Sequence, residues 1–104
     1  MELVDTHTHL DLEQFAGDLD DVVAASRSAG VTRWINVGFD PDHWASTLDL
    51  VDRIEGLHAM LGLHPGSVDA WSASSFGELS RLARERRPVA IGEIGIDLYW
   101  RQDN

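Results

Sequence analysis

The chain has 104 residues, 43% of them hydrophobic, with a formal net charge of −10, eight arginines, no lysine and no cysteine. This composition predicts one globular domain and excludes a disulfide framework, a cysteine-based zinc site and a membrane helix of about 20 apolar residues. The acidic balance disfavours a protein that coats DNA through a basic patch, and a cytoplasmic location is expected because the first residues do not resemble a signal peptide.

The first predicted strand, Leu3–His9, ends in a His-x-His pair. Side chains alternate between the two faces of a strand, so Asp5, His7 and His9 project from the same face. Two imidazoles at this spacing can reach one divalent ion. A lone pair of this kind also arises by chance, so the metal site depends on which other residues join it.

Two amphipathic helices follow, on either side of the second predicted strand, Val31–Phe39. The first begins near Asp18, a good N-cap residue, and ends at Gly30. The second begins with Asp40 as its cap and Pro41 at the first helical position, where a missing N–H costs nothing.

The third predicted strand, Leu57–His64, ends immediately before a proline. A residue that precedes proline is held in an extended conformation. His64 therefore lies at the end of the strand, where it either lines a pocket or caps the following loop.

The third helix is predicted from a capping box of Ser75 and Glu78, with Phe76 and Leu79 facing inward. Arg84, with its neighbours, lies at the negative end of the helix dipole. The helix is expected to end before the next proline.

The fourth predicted strand, Val89–Ile96, contains Glu93 in an otherwise apolar run. A carboxylate buried there needs a cationic partner, which is either a metal ion or a buried arginine. Asp97 is a candidate for orienting a histidine of the site or for capping a helix. Tyr99 and Arg101 follow, and they are candidates for stacking on a base or binding a phosphate.

The alternating order predicts an α/β fold, a (β/α)3-β parallel sheet with its strands buried on both faces. The predicted strands begin about every 26–32 residues, which corresponds to the first half of a TIM (β/α)8 barrel. Residues 1–104 are therefore expected to be a single partial domain that ends after strand four. The outer strands would then have open edges, through which a homodimer could form. A complete open sheet of order 2-1-3-4 is the alternative. Three tryptophans are predicted to pack in the core: Trp34, Trp44 and Trp71.

Three segments together resemble the TatD family of metal-dependent deoxyribonucleases, which are amidohydrolase-like barrels. They are residues 3–11 (LVDTHTHLD), 62–65 (GLHP) and 92–97 (GEIGID). Their order and spacing also agree with the family, and the resemblance covers the whole chain. Leu98 departs from it, since tyrosine is common at that position.

The resemblance implies a hydrolase that cleaves phosphodiester bonds of DNA, often from the 3′ end of a single strand, with two divalent ions (Zn, Mg or Mn). His7 and His9 would hold one ion, and Glu93 would bridge both. Glu93 and His64 would be catalytic, and His64 would also contact the substrate with Tyr99 and Arg101.

Asp5 and Asp97 are expected to orient these ligands without binding the ions themselves. Family members carry further ligands on later strands, so this chain alone is expected to be inactive or weak.

Three other functions compete with this interpretation. A phosphoesterase of the polymerase-and-histidinol-phosphatase (PHP) type also opens with His-x-His, but the segment around Glu93 argues against it. An amidohydrolase that acts on C–N bonds commonly bridges its metals with a carboxylated lysine, and this chain has no lysine. The third alternative is a non-enzymatic half barrel that associates with itself.

Overall fold

A computed structural model describes residues 1–100 of the chain, which form one parallel sheet with helices between its strands. In chain order the strands and helices are β1 (Leu3–Thr8), α1 (Leu19–Ser28), β2 (Val31–Gly38), α2 (Pro41–Arg53), β3 (Leu57–Leu61), α3 (Ser75–Glu85) and β4 (Ala90–Ile91). Short 3-10 helices occur at Glu13–Phe15 and Pro65–Ala70. No helix in this part of the chain is both long and apolar enough to cross a bilayer.

The strands lie in the sheet in the same order as in the chain, β1-β2-β3-β4, and every neighbouring pair is parallel. This order confirms the predicted half barrel and shows that the alternative order 2-1-3-4 is wrong. Because each β-α unit advances by one strand in the same direction, the carboxyl ends of all four strands meet at one edge of the sheet. The register brings Gly38 beside Leu61, and Leu61 beside Ile91.

The first two helices begin and end close to the predicted positions. The Oδ1 atom of Asp40 accepts a hydrogen bond from the backbone N–H of His43 at 3.0 Å, as expected for an N-cap. Asp18 is the N-cap of α1, although its side chain makes no capping hydrogen bond. After α2 the chain turns at Gly56 with a φ of +86°, a left-handed conformation that suits glycine.

The prediction for the start of α3 was wrong in two respects. Ser74 is the N-cap, and Ser75 lies inside the helix, where its hydroxyl accepts a hydrogen bond from the N–H of Ser72. Glu78 pairs with Arg81 instead of closing a capping box. Phe76, expected to face inward, is 71% exposed, because it lies off the helix face that buries Ser75 and Leu82.

The hydrophobic core lies between the sheet and its helices and forms two clusters. The first consists of Leu10, Val23, Trp34, Leu50 and Leu57. The second consists of Trp44, Leu48, Ala59, Leu61 and Leu82. Trp34 and Trp44 are core residues as predicted, and the partly buried Trp71 packs edge-on against Trp44 with ring centroids 6.3 Å apart.

The expectation that all four strands are buried on both faces was wrong for the two outer strands. Every residue of β1 except the last is exposed. The strand β4 extends over two residues only, although Val89–Ile96 was predicted, and Ile94 and Ile96 beyond it are 68% and 77% exposed. Each outer strand has one strand neighbour within residues 1–100, so its far edge and part of its apolar surface remain uncovered.

Candidate metal centre

The two histidines at the end of β1 converge on one point. The Nε2 atoms of His7 and His9 lie 3.2 Å apart, with the rings inclined at 72°. They meet because residues two apart in an extended chain share a face. In a tetrahedral metal site with bonds near 2.1 Å, the ligand atoms lie about 3.4 Å apart. The separation of the two Nε2 atoms is close to this value, so both can bind one cation.

Glu93 completes a group of three potential ligands. Its Oε2 atom is 3.7 Å from Nε2 of His7, and one ligand atom from each of His7, His9 and Glu93 lies within 4.8 Å of the others. The Glu93 side chain is 29% exposed. Side-chain shifts of about 1 Å would close the group around an ion, so the donor set present in the chain fits a divalent metal.

The ionisable side chains within 4.0 Å of the Glu93 carboxylate, among residues 1–100, are histidines. Besides His7, its Oε1 atom lies 3.9 Å from Nε2 of His64. The predicted alternative, an ion pair between Glu93 and a buried arginine, is therefore absent from the described part of the chain. Imidazole nitrogens beside a carboxylate are a set of donors that suits several divalent metals.

A close approach of two chain segments brings Glu93 to His64. A Cβ atom on Gly62 would lie 2.5 Å from the carbonyl carbon of Gly92. No larger residue fits there without moving the backbone. The ends of β3 and β4 thereby come together, and the residues that follow each strand face one another.

His64 both caps the following turn and faces the site, so both predicted roles occur together. Its Nδ1 atom accepts a hydrogen bond from the N–H of Gly66 at 2.9 Å, at the start of the short 3-10 helix. A neutral imidazole that accepts at Nδ1 carries its proton on Nε2. That nitrogen faces Glu93 Oε1 at 3.9 Å and Asp97 Oδ2 at 4.0 Å.

The predicted supporting residues have different contacts. Asp97 lies beside His64, and it also accepts a hydrogen bond from the N–H of Tyr99 at 2.8 Å, within a turn at residues 98–100 rather than at the start of a helix. Asp5 accepts from the backbone N–H of His7 at 3.2 Å, and this contact steadies the main chain rather than the ring. Tyr99 is 82% exposed, and Arg101 lies outside the described residues.

The surroundings of His9 include an unpaired polar atom. Its Nδ1 is buried and has no hydrogen-bond partner among the described residues. An unpaired buried donor or acceptor costs about 1–3 kcal/mol. The edge of the His9 ring packs against Phe39 at a centroid distance of 5.5 Å, and Phe39 stacks on His43 at 4.4 Å.

A buried asparagine that the sequence analysis missed holds the segment around His9. Asn36 on β2 is 0% exposed. Its Oδ1 accepts from the N–H of Leu10 at 2.6 Å and from the hydroxyl of Thr8 at 3.2 Å. Its Nδ2 donates to Asp11 Oδ1 and to Thr47 Oγ1, both at 3.0 Å. The available signal was a polar residue within the otherwise apolar second half of this strand, residues 34–38.

A cleft of about 460 Å³ opens beside His9 and Glu93, two of the three candidate ligands. Its walls include Leu12, Phe39, His64, Ser67, Glu93 and Trp100. The volume lies in the range of about 300–1,000 Å³ that small-molecule sites occupy. The candidate ligands therefore border a space that can admit part of a substrate.

Comparison with known proteins gives a consistent result. Residues 4–104 match the family described as TatD related DNase. The uncharacterized metal-dependent hydrolase YjjV of Escherichia coli (strain K12) is 39% identical over 99 residues. The 3'-5' ssDNA/RNA exonuclease TatD of Cronobacter sakazakii is 32% identical over 95 residues, which cover 91% of this chain and 36% of that protein.

A solved structure shares the fold. The crystal structure of YjjV, a TatD homologue from E. coli, superimposes with a TM-score of 0.83 at 38% identity and covers 93% of this chain. The chain matches only 38% of that structure, and the sequence match to YjjV likewise covers 92% of this chain and 38% of the relative. The chain thus spans less than two fifths of the length of these relatives.

Proposed function

This chain belongs to the TatD-related DNase family, and on that premise we propose that it supplies a metal site for hydrolysis of phosphodiester bonds in single-stranded DNA, with 3′ ends as the preferred substrate. The observation that carries the proposal is the convergence of His7, His9 and Glu93 beside His64. Membership of this family favours a nuclease over the PHP-type and amidohydrolase alternatives. Relatives named as 3'-5' ssDNA/RNA exonucleases support the choice of substrate.

We propose His7 and His9 as ligands of one divalent ion, and Glu93 as a ligand that would be shared with a second. Divalent cations bound there would neutralise charge on the phosphate and lower the pKa of a water. Imidazole and carboxylate suit Zn, Mn or Mg. Three protein ligands are sufficient for one ion with water in the open positions, but they are few for two. We therefore propose that residues 1–104 alone have weak or no activity.

We assign His64 the task of orienting the phosphate. The hydrogen bond from Gly66 to its Nδ1 leaves the proton on Nε2, on the side of Glu93, where it could be donated to an oxygen of a phosphate held at the candidate ligands. Asp97 Oδ2, 4.0 Å away, would favour that ring orientation. Asp5 would hold the backbone at His7, and Tyr99 and Arg101 are proposed contacts to the strand beyond the scissile bond.

Two assays of Glu93→Gln test this function. Calorimetric titration with Mn²⁺ measures metal binding, and release of label from a 3′-labelled single-stranded oligonucleotide measures hydrolysis. Loss of a ligand carboxylate is expected to lower the Mn²⁺ affinity by at least tenfold and to abolish any hydrolysis that the original chain shows. Glu78→Gln is the matched control, because Glu78 lies on the exposed side of α3 and pairs with Arg81.

Unchanged Mn²⁺ affinity in Glu93→Gln would contradict the ligand assignment. Metal binding without any cleavage by the chain would agree with the proposed weak activity. Strong metal-dependent cleavage would refute that part of the proposal and would indicate that the three ligands suffice.

Self-association is a second candidate function, favoured by the uncovered outer strands. Leu3, Val4 and Ile91 are 42%, 49% and 49% exposed, and β1 and β4 each have one strand neighbour among the described residues. A second copy could pair with these edges. Light scattering distinguishes the two cases: a mass near twice 11.5 kDa supports the homodimer, and a monomer counts against it.

A further inference from the structure

Building on the proposed function, we propose that the cleft beside the candidate metal centre binds a nucleobase of the single-stranded substrate, and that Trp100 forms a stacking surface for it. The cleft borders His9 and Glu93, two of the three candidate ligands. A phosphodiester held at these ligands would place an adjacent base at the cleft.

The chemistry of the walls favours a base over a phosphate. The cleft is lined on its apolar sides by Leu12, Phe39 and Trp100, and no arginine or lysine is among the described lining residues. A phosphate group would be expected to contact cationic side chains or free backbone N–H groups, and the N–H of Gly66 already donates to His64. A flat aromatic group is the better match to these walls.

The two aromatic rings differ in their surroundings. One face of Phe39 stacks on His43 with an interplanar angle of 23°, and His43 is itself paired with Asp40 at 2.6 Å. Trp100 contacts Tyr99 edge-to-face at 4.6 Å and remains 77% exposed. Most of the indole surface is therefore available, and an exposed tryptophan beside a site is a common platform for stacking of bases.

Stacking also predicts which nucleotides the cleft distinguishes. Every base has a π-face, so a stacking surface accepts all four with small differences. Ser67 is among the lining residues, and a serine hydroxyl can donate to or accept from a base edge. Discrimination is thus expected between a nucleotide that has a base and one that lacks it, rather than among bases.

The test compares two 5′-fluorescein-labelled single-stranded oligonucleotides by fluorescence anisotropy in Mn²⁺. One carries a normal 3′-terminal nucleotide and the other an abasic one, and both have a phosphorothioate at the last linkage to slow hydrolysis. Trp100→Ala is expected to weaken binding of the normal strand by roughly 5- to 100-fold, the range for one stacked base. Binding of the abasic strand should change by less than about twofold, because it has no base to lose.

Two further variants make the result specific. Trp100→Phe keeps an aromatic face and should restore binding to within about threefold of the original chain. Phe76→Ala removes a similarly exposed aromatic residue from α3, away from the cleft, and should leave both strands unaffected.

The outcomes separate this inference from the function on which it rests. If Trp100→Ala weakens both strands equally or neither, while Glu93→Gln removes metal-dependent binding, the base site is refuted and the proposed function stands. If the original chain binds neither strand with Mn²⁺ present, the proposed function fails and the base site fails with it.

Discussion

Replacing Asn36 by leucine is expected to destabilise the protein strongly, because this fully buried amide makes four hydrogen bonds to two segments of the chain, residues 8–11 and α2. Leucine has a similar size but neither accepts nor donates. The N–H of Leu10, itself in a residue only 7% exposed, would lose the acceptor that lies 2.6 Å away. The hydroxyl of Thr47, which is 0% exposed, would lose its donor.

The magnitude follows from the number of groups left unpaired. Each buried polar group without a partner costs about 1–3 kcal/mol, and Thr47 can rotate to recover part of its loss. The sum for Asn36→Leu is about 2–4 kcal/mol, a large part of the 5–15 kcal/mol that typically separates a domain from its unfolded state. With a urea dependence of about 1.5 kcal/mol per molar, the midpoint of unfolding should fall by about 2 M.

The assay is equilibrium unfolding in urea followed by circular dichroism, with Gln14→Leu as the matched control. Gln14 is exposed, so the same change from amide to isobutyl should alter the free energy of unfolding by less than about 0.5 kcal/mol. A cost below 1 kcal/mol for Asn36→Leu would refute the reasoning, since it would mean that the buried groups find other partners.

The same variant should also weaken the metal site. Asn36 bonds to Thr8 and to Leu10, the residues on either side of His9. Loosening them should lower Mn²⁺ affinity of the folded variant by about tenfold, as is typical for residues that orient metal ligands.

Two further predictions concern the approach of β3 to β4 and the surface of α3. Gly62→Ala would place a Cβ 2.5 Å from Gly92, so it should push the end of β4 away and reduce Mn²⁺ affinity in calorimetry, whereas unchanged affinity would show that the segment adapts. Hydrogen bonding to Arg81 lowers the pKa of Glu78 from its ordinary value, so Arg81→Gln should raise that pKa in an NMR titration. Because the lowered pKa belongs to the folded state, the small stabilisation from this pair is present above the ordinary pKa and is lost as the pH falls through the folded value. A Glu78 pKa that does not move would contradict the pairing.

Much of the fold was accessible from local sequence signals. The alternation of apolar runs with amphipathic segments predicted the order of strands and helices, and Asp40 with Pro41 predicted the start of α2. Grouping of the candidate ligands also followed, since parallel strands place their carboxyl ends at one edge and His7, His9 and Glu93 all lie near such ends. These inferences depend on backbone periodicity and on contacts between near neighbours.

The tertiary structure alone decided which surfaces are covered. Apolar residues of β1 and β4 have the pattern of buried strands, yet burial depends on whether another segment packs on them, and within residues 1–100 each outer strand has one neighbour. The role of Asn36 was hidden for the same reason, because its partners Thr8, Leu10 and Asp11 lie 25 to 28 positions away in the chain. Periodicity reports the face on which a residue lies, whereas the partner it meets there is determined by chain segments that only folding brings together.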